Sequence, residues 1–476
     1  MAWQQISDKR YDSGAVIRMS LNCTIGSFFF GYSLAVFTSC QDSVSATLNW
    51  GDNEEIFITV FSSLIPLGGL FGAIFSGTYS KRFGRRKMLM ISDIIGILGC
   101  FTTIIPTNYT FGIGRFLTGL ATGSFAVICP IYLNEISPTE ISGRIGILVQ
   151  YNITLGIAVA YAMSLPLPTE DYNSDPMNNW WMFVFTLPSI LLLAQFLLFF
   201  FVYRRDTPRW LLNNYQRDAA YRSLRMIYTE TYAAEYLDTI SIIRDQELIT
   251  KEDNTKSIEE NKDKYPSSCA VPNSYGRRLR LGIMIQTLQQ WCGVNAIVFY
   301  ATSIFETLGA GLFTARILTL TVGIVNNLGL FVIIPLIDRF GRKPLCLVGE
   351  VGMMVNLVLI GLIAGPLNES NIAVSLTVIL IFKAFFTFSL GPIAWIYCGE
   401  VLDEKGNSIT TVVNWLNVFM VVLLFPYLQA GLGTDNVFYL YSGICFLGFI
   451  YLLIDMKETK GLTREQILVR FTPGSK

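Results

Sequence analysis

The chain has no histidine, and that absence alone excludes several kinds of chemistry. Imidazole proton relays, histidine-activated nucleophiles and histidine metal sites are ruled out. Charge is scarce too: 15% of the 476 residues are Asp, Glu, Lys or Arg, and the two signs cancel at 35 each. A weakly charged, balanced chain offers no electrostatic reason to expect a nucleic-acid partner. The nine cysteines include no C-x-x-C pair, and those in apolar runs, such as Cys100, Cys129 and Cys445, read as small buried hydrophobes. No phosphate-cradling glycine loop is present. The chain therefore reads as a non-enzyme, with no catalytic residue, metal or cofactor expected.

What the sequence has in abundance is apolar surface: 52% hydrophobic residues and a mean hydropathy of +0.47. Neither a soluble globular protein nor a disordered one has that balance. Runs of roughly 20 apolar residues, the length that crosses a bilayer core, number about twelve. The first six are Ala15–Thr38, Ile56–Tyr79, Met88–Ile105, Phe111–Leu133, Ile145–Leu165 and Trp181–Tyr203. The second six are Leu279–Thr302, Phe313–Ile337, Leu345–Ala364, Ile372–Tyr397, Ile409–Ala430 and Val437–Ile454. No cleavable signal precedes them, so the first run reads as an uncleaved anchor.

Loop charge predicts orientation. Connections 39–55, 106–110, 164–179, 365–371 and 431–436 carry no Lys or Arg, whereas "SKRFGRRK", "YRRDTPR" and "DRFGRK" face the other way. The positive-inside rule makes these basic loops and both termini cytoplasmic. The chain also repeats itself. "KRFGRRK" returns as "DRFGRK", "LNEISP" as "CGEVL", and "DTPRWL" more weakly as "KETKG", each about 260 residues later. The expected organisation is a cytoplasmic tail (1–14), a six-span half (15–203), a polar linker (204–278), a second six-span half (279–455) and a cytoplasmic tail (456–476). In the linker, Thr207 as N-cap and Pro208 at the first helical position predict short amphipathic helices, two to four in all.

Polar side chains inside the spans are the candidate site. On an ideal helix Gln286, Gln289, Gln290 and Gly293 share about one third of the circumference. Asn295 falls on the opposite side unless the helix breaks at Gly293. Gln150 and Thr154, Asn326 and Asn327, Thr387, Gly391 and Trp395, and Asn414 and Trp415 add polar and aromatic groups at similar depth. Amides that donate and accept, beside flat rings, suit a neutral polyhydroxylated ligand, a sugar or polyol.

At these residues the sequence resembles the sugar porters of the major facilitator superfamily, close to the hexose facilitators. The motifs are "GSFFFGY", "GRFLTG", "YLNEISP", "TPRWL", "QQWCGVNAIVFY", "DRFGRK", "GPIAW", "NWLNVF" and "ETKG", in order along nearly the whole chain. The resemblance implies an all-α fold of twelve transmembrane helices in two pseudo-symmetric six-helix bundles, the major facilitator fold, with a helical linker. It implies a monosaccharide substrate, a hexose such as glucose, carried by alternating access in a plasma-membrane protein that works as a monomer among lipid. Sugar contacts would be Gln150, Gln289, Gln290, Asn295, Asn326, Trp395 and Asn414, with Phe30, Phe386, Thr387 and Trp415 close by. Phe299 and Tyr300 would form an outer gate, and Gly391 and Pro392 would bend span ten. Arg85, Arg86, Glu135, Arg209, Asp338, Arg342 and Glu400 would form the cytoplasmic charge network.

Departures from the family pattern carry expectations of their own. Proton-coupled members have an Asp where this chain has Ser33, so uncoupled uniport is expected, with proton symport and non-transporting sugar sensing as alternatives. Arg115 is retained, and Asp93 reads as structural. Lys81, Ser142 and Lys405 replace or stand in for network charges, which predicts weaker cytoplasmic latches and a bias away from the outward-facing state. Lys383 lies one turn from Thr387, where several facilitators have a ligand-contacting Glu. Asn108 and Asn368 sit in glycosylation sequons.

Overall fold

The computed structural model describes residues 11–138, 141–170, 175–242, 273–307, 309–365, 372–462, 466–467 and 470–471. The first half contains α1 (Ser13–Ala35), α2 (Gln41–Leu48), α3 (Glu54–Phe83), α4 (Arg85–Thr103), α5 (Asn108–Ile136), α6 (Ser142–Met163) and α7 (Trp180–Leu197), the last continued by a π turn, Leu198–Val202. Then come α8 (Pro208–Asn213), α9 (Arg217–Leu224) and α10 (230–242). The second half contains α11 (Asn273–Trp291), α12 (Val294–Thr307), α13 (Leu312–Phe340), α14 (Arg342–Ala364), α15 (Ile372–Phe388), α16 (Leu390–Val401), α17 (Glu404–Leu432) and α18 (Thr434–Asp455). Of the twelve spans, the seventh is α11 with α12, broken at Gly293, and the tenth is α15 with α16, broken at Ser389.

Two boundaries differ from expectation. Helix α11 begins at Asn273, inside the expected linker, because its first two turns carry Arg277, Arg278 and Arg280, which bond Asp455 and the Val401 carbonyl. Helix α2 was not anticipated, since eight residues with few apolar positions carry little periodic signal. Three short helices, α8, α9 and α10, stand among the described residues of the stretch expected to be a linker. Thr207 precedes α8, but its hydroxyl bonds the Glu135 carboxylate instead of capping the helix.

Within the first half α3 and α4 pack on α5, and α1 packs on α5, α6 and α7; in the second, α14 packs on α15 and α18, and α11 on α16, α17 and α18. The α3–α5 contact is close because glycines line it. A Cβ on Gly123 would sit 2.0 Å from the Gly69 carbonyl oxygen. Small residues let backbones approach in this way where lipid supplies no hydrophobic drive. The halves meet through α3 with α17, α6 with α13 and α1 with α12. Outward-facing apolar side chains such as Leu98, Ile190, Leu193, Leu447 and Ile454 are exposed, the surface a bilayer would cover. The eight cysteines described are buried and unpaired, as expected of small hydrophobes.

Candidate functional site

The basic ends of the two halves repeat one construction. Gly84 and Gly341 have φ of +95° and +89°, and each opens the following helix. In the first half the Asp206 carboxylate accepts from the Arg85 and Arg86 amides at 3.0 and 3.2 Å. In the second, Glu458 accepts from the Arg342 and Lys343 amides at 3.0 and 2.9 Å. A Cβ on Gly84 would lie 2.1 Å from Asp206 Oδ2, so the glycine is needed for space as well as for its left-handed backbone. Arg85 pairs with Glu135 at 2.9 Å and Arg342 with Glu400 at 2.7 Å, each within its own half. Arg86 reaches the Phe199 carbonyl in the π turn, and Arg209 is exposed on α8. The Asp338 side chain and Asn368 lie outside the described residues. Burial pushes the Asp206 carboxyl up despite three backbone donors. For Glu458, burial also pushes up, but the amides of Arg342, Lys460, Lys343 and Thr459 outweigh it and hold the carboxyl low.

Deeper in, the break at Gly293 (φ +86°) does what periodicity required of it. It turns Asn295 back toward the stripe, where its amide donates to Gln290 Oε1. Gln290 donates to Gln289 Oε1 at 3.1 Å, and Asn414 of α17 donates to Gln289 Oε1 at 2.8 Å and Gln286 Oε1 at 2.6 Å. Gln289 itself donates to the Leu390 and Gly391 carbonyls, at 3.1 and 2.7 Å, where span ten is interrupted. That interruption is at Ser389, two residues before the expected Gly391–Pro392 pair. Pro392 falls in the first turn of α16, where its missing N–H costs no helical bond. Gln286, selected by spacing alone, is thus a full member of the group.

A second polar group lies nearer the halves' junction. Thr387 Oγ1 is 2.6 Å from Asn326 Oδ1, and Lys383 Nζ stands 5.3 Å from the Phe386 ring centroid. Asn327 reaches across to the first half, donating to Thr154 Oγ1 at 2.9 Å. Asn326 and Lys383, with Tyr161 and Val298, line a cavity of about 10 Å³. Trp415 is buried beside Phe30, ring centroids 5.3 Å apart, while Gln150 and Trp395 are half-buried. Of the expected contacts, Gln289, Gln290, Asn295 and Asn414 join Gln286 in one hydrogen-bonded group and Asn326 and Thr387 form a second, while Gln150 and Trp395 belong to neither.

At the end opposite the basic loops, bonds join the halves. Thr38 donates to the Phe299 carbonyl at 2.7 Å, Tyr161 to the Val298 carbonyl at 2.9 Å, and Gln41 to Ser303 at 2.9 Å. Tyr300 departs from helical geometry (φ −131°, ψ 20°), stacks on Phe425 and donates to the Val422 carbonyl. Arg316 of α13, fully buried, donates to the Leu167 and Pro168 carbonyls at 2.7 and 3.1 Å and stands 3.6 Å from Asp42. Sequence reasoning passed over Arg316, though an arginine inside the apolar run "LFTARILTL" is itself a signal. Asn108 accepts from the Trp50 indole at 2.8 Å.

The family profile described as "Sugar (and other) transporter" matches residues 19–471. The chain belongs to the sugar transporter family. It is 29% identical to the glucose transporter GlcP of Staphylococcus epidermidis, over 93% of this chain and 94% of that one. It is 31% identical to the galactose-proton symporter of Escherichia coli, over 95% and 93%. Its fold matches a solved structure of the proton:xylose symporter XylE bound to 6-bromo-6-deoxy-D-glucose, with a TM-score of 0.79 at 23% identity over 97% of this chain and 100% of that chain. This is therefore a multi-pass sugar porter of the major facilitator fold, a transporter and not an enzyme.

Proposed function

We propose that the chain carries a monosaccharide, a hexose such as glucose, by uncoupled alternating access across the plasma membrane, acting as a monomer with both termini cytoplasmic. One observation carries this reading: Gln286, Gln289, Gln290, Asn295 and Asn414 bond one another beside two helix breaks. Such amides can exchange their mutual bonds for sugar hydroxyls at little net cost, because each donor and acceptor is matched in both states. Asn326, Thr387 and Gln150 would add contacts, and Phe30, Phe386, Trp395 and Trp415 would offer rings to the sugar's C–H face. The breaks at Gly293 and Ser389, with Phe299, Tyr300, Gly391 and Pro392 beside them, would let the ends of spans seven and ten move as gates. The bonds at the non-basic end correspond to a closed outer gate, in keeping with a resting bias away from the outward-facing state.

Uniport is favoured by the surroundings of Arg115. Its Nη1 donates to the Ser33 carbonyl at 3.3 Å and its Nε to the Phe61 carbonyl at 3.2 Å, and its cation lies 5.0 Å from the Phe37 ring. Backbone carbonyls do not titrate, so this arginine has no proton-carrying partner among these contacts. A second reading, proton symport, is favoured by the name of the galactose-proton symporter and by Asp93. That carboxyl is fully buried and both its oxygens lack a partner; Glu350, at the same place in the second repeat, matches it. Reconstituted protein settles the choice when challenged with hexoses, pentoses and polyols while internal pH is recorded. Uniport predicts counterflow without sugar-induced alkalinisation, and Gln290→Ala should weaken it; alkalinisation that disappears in Asp93→Asn would establish symport instead.

A further inference from the structure

Lys383 sits on α15 with 4% of its surface exposed; its ammonium lies against the Phe386 ring, and the residue lines the cavity between the halves with Asn326. A buried ammonium needs compensation, normally a carboxylate. The elements packed on α15 are α12, α13, α14 and α16. On α14, Glu350 points elsewhere, toward Gly448 of α18, where an added Cβ would lie 3.2 Å from its Oε1. On α16, Glu400 is taken by Arg342. On α12, Glu306 is in the last turn, at the end near Arg316. On α13, Arg316 is at that same end and faces Asp42, Arg339 is in the last turn, and the Asp338 side chain lies outside the described residues. Among the described residues no ion pair reaches Lys383. Phe386 offers only its quadrupole.

We propose that Lys383 is a specificity-determining residue of the transport site, and that the substrate range extends to monosaccharides bearing a carboxylate, the hexuronates. This rests on the sugar-transport reading above. The amides would take the hydroxyls, as they would for a neutral hexose, and the ammonium would take the carboxylate beside Asn326 and Thr387. A uronate would thereby supply the negative charge that no ion pair among the described residues brings to Lys383, and expelling the carboxylate's water would strengthen the pair. The same site would then rank a hexuronate above its parent hexose, because only the uronate's carboxylate pairs with the buried cation.

The test is competition against labelled glucose counterflow by unlabelled glucose and by glucuronate, using full-length protein in proteoliposomes. The wild type should be inhibited by glucuronate at least as strongly as by glucose. Lys383→Met should lower the ratio of glucuronate to glucose affinity by about 10- to 100-fold, the range expected for losing one charge-assisted bond. Lys383→Arg, which keeps the charge, should hold the ratio within about threefold of wild type. Failure of glucuronate to compete with glucose in wild-type protein would overturn the proposal while leaving sugar transport intact. A ratio unchanged in Lys383→Met would overturn it as well, giving the lysine a merely structural place. Absence of any counterflow in the wild type would instead sink the transport reading, and this one with it.

Discussion

Arg316→Met should open the outer gate. In the closed arrangement Arg316 makes two charge-assisted bonds, at 2.7 and 3.1 Å, to carbonyls of the opposite half, with Asp42 a further 3.6 Å from its other nitrogen. Bonds to a charged group contribute about 1.5–3 kcal/mol each, against a burial cost of several kcal/mol for the cation. Leaving Leu167 and Pro168 unpartnered in the closed state adds about 1–3 kcal/mol of penalty there, which solvent removes when the halves part. A net shift of about 1.5–3 kcal/mol toward opening, or about 10- to 150-fold in the two-state ratio, follows. Ser303→Cys, whose native hydroxyl accepts from Gln41 across the same junction, provides the reporter. Its modification by a membrane-impermeant maleimide should speed up by that factor in the Arg316→Met background, measured against Arg316→Met alone so that the native cysteines, Cys40 at this end among them, are subtracted. An unchanged rate would refute the idea that this arginine latches the halves.

Three other outcomes follow from the geometry. Burial pushes the Asp42 carboxyl above its ordinary value in the closed arrangement, with Arg316 opposing, so the closed state binds the proton more tightly than an exposed carboxyl would. Lowering external pH from neutral toward the carboxylate range should therefore slow labelling of Ser303→Cys by more than the thiol's own loss of thiolate, and Asp42→Asn should remove that excess. Ser33→Asp sets a carboxylate on the turn whose carbonyl Arg115 already contacts; sugar-induced alkalinisation should appear in that variant and be absent from wild type. Gly341→Ala would force a side chain to within 2.7 Å of Glu458 at a backbone φ of +89°, and should cost about 1–3 kcal/mol in thermal stability of the detergent-solubilised protein.

Much of this was legible from residue spacing. The two halves could be read because membrane helices must be long and apolar, and because "KRFGRRK" and "DRFGRK" mark the same turn twice. The repeat went deeper than its letters suggested: Asp206 and Glu458, from a weak textual echo, cap in the same way the helices that open after Gly84 and Gly341. Asn295 was legible only conditionally, since a glycine can break a helix but need not. Gln286 stood on the stripe but outside the contacts the resemblance implies, and spacing places a side chain on a face without saying what meets it; Asn414, some 128 residues away, decides that. Arg316 escaped notice for a related reason. Its partners are backbone carbonyls, which every residue has and no sequence pattern advertises. The break at Ser389 rather than at the neighbouring glycine and proline likewise depends on where Gln289 spends its donors.

Binding of a labelled hexose to Gln289→Leu tests the central claim most directly, because Gln289 touches Gln290, Asn414 and the span-ten break at once. Loss of its amide should weaken hexose affinity, measured by equilibrium binding on folded, purified protein, by about 10-fold or more. A variant that remains monodisperse and binds hexose with wild-type affinity would contradict the assignment of this amide cluster as the sugar site.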